Sequence, residues 1–335
     1  MRYYDIRITN AGGTIQRRYK STLADGSPDP GALMVEIDVN STNYATPAGA
    51  SFVRVWGVSL EELGTAANLT GMGIAVYGGM SKGLPLANPA QQGLLVQGIV
   101  QQAFGNWIGT DMTLDLIITS GQPLQDKNTP QVKNFAFSWA KGTPLASTIR
   151  DVLATNYPGI TANISISDKL VLNYDAPGYY GTLIELAQAL KRMSLMIIGT
   201  EQYQGVNVVI SGNTFNVYDG TTFKAPINIA FTDLIGQPTW IENQRIMVTT
   251  VMRGDISISD YIKLPPGQLL TTTSGSLSQY RQASIFQGVY QVGGEYGIRH
   301  VGNSRQADGR SWITTFDCYP NVPPSIGNAI PQGVV

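Results

Sequence analysis

Between residues 256 and 264 the apolar side chains Ile256, Ile258, Ile262 and Leu264 occupy alternate positions, with Ser257, Ser259, Tyr261 and Lys263 between them. A repeat of two marks a strand with one face buried and the other in solvent. A chain made of such segments must bury them as sheets. Asp260 is the one break on the inner face, and Pro265-Pro266-Gly267 predicts the strand's end. This run closes a longer stretch, residues 227–264, which Gly236, Pro238 and Arg253-Gly254-Asp255 divide into two or three strands.

The first third carries the same pattern. Tyr4, Ile6 and Ile8 alternate with Asp5, Arg7 and Thr9, and Gly12-Gly13 follows as a turn. Leu33, Val35, Ile37 and Val39 alternate with Met34, Glu36, Asp38 and Asn40. Residues 52–58, Met72-Ile74-Val76, residues 94–101 and Met112-Leu114-Leu116-Ile118 continue the series. That makes about six strands, whose spacing predicts a barrel or sandwich. Ser59 with Glu62 three residues later has the form of a capping box, so a short helix is expected there, limited by Gly64. The polar, proline-containing residues 119–133 are the best domain boundary.

Residues 134–222 change character. Thr143-Pro144 reads as an N-cap with proline at the first helical position. Leu145, Ile149, Val152 and Leu153 then share one helix face. Thr182 and Glu185 form a second capping-box pattern before the stripe Leu183, Leu186, Ala187 and Leu190, with Lys191-Arg192 toward the C-terminal end. Residues 164–166 and 170–172 read as short strands, and 195–198, 206–210 and 215–217 as a small sheet. Alternation returns at 281–286, 288–292, 296–302 and 312–319, after the Thr/Ser/Gly-rich loop 265–280. The expected plan is mainly β with an α+β insertion: a β domain over 1–120, the insertion over 134–222, a second β domain over 223–320, and a Pro/Gly tail over 321–335.

Totals narrow the function. Charged residues make up 13% of the 335, against about 25% ordinarily, which suits either a surface hidden in an assembly or a β-rich extracellular protein. The net charge of −1 gives no general case for nucleic-acid or membrane binding. Cys318 is the only cysteine, so no intrachain disulfide can form. The N-terminal MRYYDIRITN enters an alternating pattern at once, so no secretion leader is expected. No apolar run of about 18 residues predicts a membrane-spanning helix. Asn40, Asn68 and Asn163 open Asn-x-Ser/Thr triplets and read as polar turns.

Catalytic signatures are weak throughout. In Gly78-Gly79-Met80-Ser81-Lys82-Gly83 the lysine precedes the last glycine and no Ser or Thr follows, unlike a phosphate-cradling loop. His300 is the only histidine, which makes poor zinc chemistry, and its strand-like setting reads as structural. Cys318, beside Phe316 and Tyr319, reads as a buried apolar residue. Glu61-Glu62 are adjacent on a helix and Asp111 and Asp115 lie on a polar strand face, so no carboxylate pair for glycoside hydrolysis emerges. Trp56, Trp107, Trp139, Trp240 and Trp312 are candidates for stacking on sugars, although tryptophans on alternating strands usually belong to the core. Arg17, Arg18 and Lys20 form a short basic cluster beside a loop. No cofactor, metal or enzymatic activity is expected.

Two stretches resemble a known family. Residues 77–110, YGGMSKGLPLANPAQQGLLVQGIVQQAFGNWIGT, and residues 233–264, with LIGQPTW and RGDISISDYIKL, resemble the two β domains of small baseplate hub proteins of contractile-tailed phages. So do Gly288-Val289-Tyr290, His300–Arg305 and Ser311–Thr315. The shared motifs are Gly/Pro turn patterns. The resemblance implies two tail-tube-like antiparallel β-barrel domains flanking a small α+β domain. It also implies a homotrimer presenting six such domains, so that one ring meets a six-fold tail tube and a three-fold central spike. Expected partners are therefore further copies, the tube or tube-initiator protein, the spike and other baseplate proteins, with transient DNA contact in the lumen. The expected location is the virion tail, assembled in the bacterial cytoplasm. A tube-initiator or distal-tail ring protein is the alternative within the particle, and a tail-associated cell-wall hydrolase or a sugar-binding sandwich lies outside it. Arg17, Arg18, Lys20, Asp25, Gln268 and Tyr280 are the expected ring-stacking residues, and charge reversal at Arg17 and Arg18 is expected to block tube growth.

Overall fold

The computed structural model describes residues 2–42, 51–81, 88–120, 134–157, 160–200, 203–211, 214–222, 224–242, 245–265, 288–293 and 296–320. The fold is mainly β. In order, the first elements are β1 (Arg2–Thr9), β2 (Ile15–Lys20), β3 (Met34–Ser41), β4 (Ser51–Trp56), α1 (Leu60–Gly64), β5 (Gly73–Met80), β6 (Gly93–Ile108) and β7 (Asp111–Ser120). Then come β8 (Phe135–Trp139), α2 (Leu145–Asn156), β9 (Thr161–Ser165), β10 (Ala176–Tyr180), α3 (Leu183–Ile198), β11 (Asn207–Ser211) and β12 (Thr214–Tyr218). The last are β13 (Ile227–Asn228), β14 (Thr239–Glu242), β15 (Arg245–Val251), β16 (Tyr261–Lys263), β17 (Val289–Val292), β18 (Ile298–Asn303) and β19 (Trp312–Pro320).

These elements form two compact bodies. The larger holds β1–β7 and β13–β19 in one hydrogen-bonded sheet, ordered β13-β16-β17-β19-β18-β3-β4-β7-β6-β5-β1-β2, with β15 on β19 and β14 on β15. The two halves meet where β3 pairs antiparallel with β18, Ile37 opposite Gly302 and Asp38 opposite Val301. Alternation fixes that register. Val35, Ile37, Val39, Val53, Val55, Leu114, Leu116 and Ile118 all point into the core, and a one-residue slip would turn each of them to solvent. Each such side chain stabilises the fold by about 1.5–3 kcal/mol when fully buried. Met252 and Trp312 from the C-terminal strands belong to the same core, and the Trp312 indole N–H donates to the Gly79 carbonyl at 2.8 Å.

The smaller body packs α2 and α3 with the three-stranded sheet β11-β12-β9 and the ribbon β10–β8. The helix stripes read from the sequence are buried here: Leu145, Ile149, Val152 and Leu153 on α2, and Leu183, Leu186, Ala187 and Leu190 on α3. Both capping patterns are made in part or in full. At Ser59 the box is reciprocal. At Thr182 the hydroxyl accepts from Glu185 N, while the Glu185 carboxylate reaches back one residue further, to Gly181 N.

The structure corrects several local expectations. Residues 256–264 are not one strand. Ile256, Ile258, Ile262 and Leu264 are buried as read, but so is Tyr261, and only Tyr261–Lys263 is strand. Asp260 captures Ser257 N with its carboxylate at 2.8 Å, while Asp260 N donates to Ser257 O. This local competitor to the ladder makes a turn, with Ser259 at φ 81. Residues 195–198 finish α3, whose left-handed cap is Gly199. The N-cap of α2 is Pro144, without a side-chain bond, so that helix starts one residue later than expected. Residues 170–172 make only an isolated bridge, Val171 with Pro144. The strand expected at 281–286, nearly all of the loop 265–280 and the tail 321–335 lie outside the described residues.

Candidate interaction surface

The expected contact residues divide between the two faces of β2, the edge strand at one end of the large sheet. Arg18 lies directly opposite Arg7 on β1, and Lys20 opposite Asp5. Two like charges facing each other across a ladder destabilise it. Asp5 resolves this clash by taking Arg18 through both carboxylate oxygens, at 2.8 and 2.7 Å, and Arg7 at 2.9 and 2.6 Å. Burial alone would raise the Asp5 carboxyl, and the hydrogen bonds from Arg18 and Arg7 outweigh it and hold the group below its ordinary value. The Arg7 guanidinium also stacks on Tyr77, 4.5 Å from the ring centroid.

Arg17 points the other way. It donates to the Glu62 carbonyl of α1 at 3.2 Å and to the Thr65 hydroxyl, and so fastens the helix to the strand. Charge reversal at Arg17 or Arg18 would therefore break bonds within the chain, to Glu62 or Asp5, whatever it did to a neighbour. Asp25 sits in the following turn, where its carboxylate accepts from Ser27 N and Oγ and is held below its ordinary value by those bonds. Gln268 and Tyr280 lie outside the described residues.

A second patch was not singled out from the sequence. The hairpin β6–β7 is the longest in the molecule as described, and its far end carries Phe104, Trp107 and Ile108 largely exposed. Trp107 is 65% and Ile108 77% exposed. Alternation puts Trp107 on the face of Gly105, against which α1 packs so closely that a Cβ there would lie 2.7 Å from the Leu63 carbonyl. Phe104 and Ile108 take the opposite face, across from Asp115 and Asp111. Leu60, at the start of α1, is also exposed. By contrast Trp139 and Trp312 are core residues. The sequence pattern predicts a strand only over residues 94–101, and β6 runs on to Ile108 past a register shift between Val100 and Gln102; exposure of the apolar side chains there was not written in the pattern.

Along the outer face of the sheet, Asp115 accepts Arg54 bidentately at 2.7 Å and Asn106 at 3.0 Å, and Arg299 closes on Asp38 at 2.8 and 2.6 Å. These carboxylates are occupied as ion-pair partners. His300 is fully buried, its Nδ1 2.8 Å from the Thr314 hydroxyl, and burial drops its pKa to about 3. Cys318 is also fully buried, which raises its thiol well above the ordinary value. Among the described residues no group of acidic, His and Cys side chains could hold a metal ion, and no helix is long and apolar enough to cross a membrane.

No protein-family model matches the chain, and no characterised protein sequence matches it. Similar solved structures include tail proteins and a PdpA-VgrG complex. A 43 kDa tail protein of prophage MuSo2 from Shewanella oneidensis aligns at 10% identity, TM-score 0.49, over 97% of this chain and 99% of that one. A tail protein from Neisseria meningitidis aligns at 10% identity, TM-score 0.44, over 97% of each chain. A chain of the Francisella PdpA-VgrG complex aligns at 8% identity, TM-score 0.43, over 96% of this chain and 58% of that one.

Proposed function

We propose that this chain is a structural virion protein, a baseplate hub of which three copies close a ring between a six-fold tail tube and a three-fold spike. The observation that carries the reading is the β3–β18 ladder. It sets the first and last thirds side by side in one sheet, as a protomer supplying two adjoining wall segments requires. In this reading residues 1–120 and 223–320 are those segments, and residues 134–222 are an insertion. Sparse charge fits a molecule whose faces are covered by neighbours. The role needs no catalytic step or cofactor. Arg17, Arg18, Lys20 and Asp25 remain candidates for contact between stacked rings, and DNA passing the lumen would touch the wall only transiently.

Light scattering of the purified protein, alone and mixed with the spike protein of the same particle, tests the reading. A trimer, formed alone or on adding the spike, is expected. A monomer that ignores the spike would overturn the hub assignment, and a six-copy ring would instead favour a tube initiator.

A further inference from the structure

The β6–β7 arm is apolar on both faces at its tip, with Trp107 on one side and Phe104 and Ile108 on the other. Trp107 is exposed yet fixed, because its indole N–H donates to the Gly109 carbonyl at 2.9 Å. A large ring already held in one orientation loses little entropy on docking, and tryptophan is among the residues enriched at binding hot spots. The arm's charge is acidic: Asp111 sits at the turn, and Glu61 lies on α1, which packs against the arm. Elsewhere on the same body, the outer face of β1–β2 has the opposite character. Arg7, Arg18 and Lys20 share that face with a single carboxylate, Asp5, and Tyr77 lies under Arg7.

We infer that the arm of one copy docks tip-first on the β1–β2 outer face of a second copy, so that Trp107 from one side of the tip and Ile108 from the other both meet the arginine stems and Tyr77, with Asp111 toward Arg18 and Lys20. The inference rests on the ring reading and deepens it by naming the contact within a ring, which assigns Arg18 and Lys20 there and leaves Arg17 and Asp25 to the stacking contact. Charge complementarity selects this occupant: an acidic tip is repelled by an anionic bilayer and attracted by the basic face. The two patches share no residue, so the contact is head-to-tail, the kind that closes into a ring or extends as a filament.

The chain's only cysteine is fully buried, so introduced cysteines can be cross-linked selectively. Gln16 is exposed and lies two residues from Arg18 on β2. Full-length Ile108→Cys and Gln16→Cys proteins, each confirmed folded by circular dichroism, are treated with a short bis-maleimide alone and mixed. A covalent dimer in the mixture and in neither protein alone is expected. Trp107→Ser should weaken self-association by about tenfold or more. Dimer from Ile108→Cys alone would mean a two-fold contact and overturn the inference. An oligomer without the mixed cross-link, or one indifferent to Trp107→Ser, would remove the arm assignment and leave the ring reading standing. A monomer at every concentration removes the self-docking, and the spike mixture then judges the ring. Tip-dependent flotation with phosphatidylcholine vesicles would assign the arm to a membrane instead.

Discussion

The joint between the two β halves and the tip of the β6–β7 arm use opposite chemistry. At the joint, polar groups are buried and engaged. Arg253 donates to Asp255 at 2.8 and 2.7 Å and to Asp233 at 3.3 Å, and Gln91 Nε2 reaches the same Asp233 oxygen at 2.8 Å. Gly254 N donates to the Gln91 carbonyl at 2.8 Å. At the tip the side chains are apolar and in water. A buried charge survives only with its partners present, so the joint is an internal contact whose charges are paired within the chain. The large tip side chains are exposed, so their value is expected to come from what they meet.

The contrast is broken most severely at Gly93. A Cβ there would lie 2.1 Å from the Gly254 carbonyl oxygen, and one on Gly254 would lie 2.5 Å from the Gly93 carbonyl carbon. Both obstacles are backbone and neither can turn aside. Gly93→Val should cost more than about 3 kcal/mol, at the top of the range for overpacking, and show as loss of soluble protein or a collapsed urea midpoint. A normal midpoint would mean that the backbones at Gly93 and Gly254 can move apart without penalty.

Next is Arg253→Met, which keeps the stem and removes the charge. Asp233 then lies buried without its cation, and breaking a buried pair typically costs about 3–5 kcal/mol. The same denaturant titration measures it. Arg253→Met together with Asp233→Asn should recover part of the loss, since the orphaned charge is gone. No recovery in the double variant would place the importance of Arg253 in packing.

How these two regions looked in the sequence differs for a physical reason. Alternation reports which face of a strand is buried, and it was reliable at Val35-Ile37-Val39 and Leu114-Leu116-Ile118. It carries no information on which strand lies alongside, so the β3–β18 ladder and the meeting of Gly93 with Gly254 were invisible. Nor does it say how far the covering layer extends. Past the register shift between Val100 and Gln102, Trp107 shares the face of the buried Ala103 yet is itself exposed, and a Trp on a strand reads as core. Ser59 and Glu62 were legible because a capping box is local. Asp260 was misread because its bond to Ser257 N competes with a pattern that otherwise spelled strand.

A third effect is smaller and depends on pH. His300 belongs to the second half and shares the Thr314 hydroxyl with the joint: Thr314 Oγ1 donates to the Arg253 carbonyl at 3.2 Å and accepts from Arg253 N at 3.1 Å. That hydroxyl proton is thus committed, and His300 donates from Nδ1 as a neutral imidazole. Its pKa falls from 6.5 to about 3 in the fold through burial. Above pH 6.5 both folded and unfolded forms are neutral and the contribution is complete. Below it the unfolded chain binds a proton that the folded one excludes, so stability falls by about 1.4 kcal/mol per pH unit down to the folded value. His300 is the chain's only histidine, so stability measured between about pH 6.5 and 5, above most carboxylate titration, should show this slope. His300→Gln should flatten it, and an unchanged slope would show that the imidazole is protonated in the fold.

The smallest expected effect is the one that sharpens the comparison most. Trp107→Ser and Ile108→Ser remove large side chains, and at a core position each change would cost several kcal/mol. At the arm's tip each should move the stability of the monomer by only about 0.5 kcal/mol, the ordinary range for surface substitutions. The measurement is a urea titration at a concentration too low for self-association. A large loss would show that the tip folds back on its own body and is as internal as the joint. A negligible loss, beside weakened association at high concentration, separates residues that build the protomer from residues that connect it.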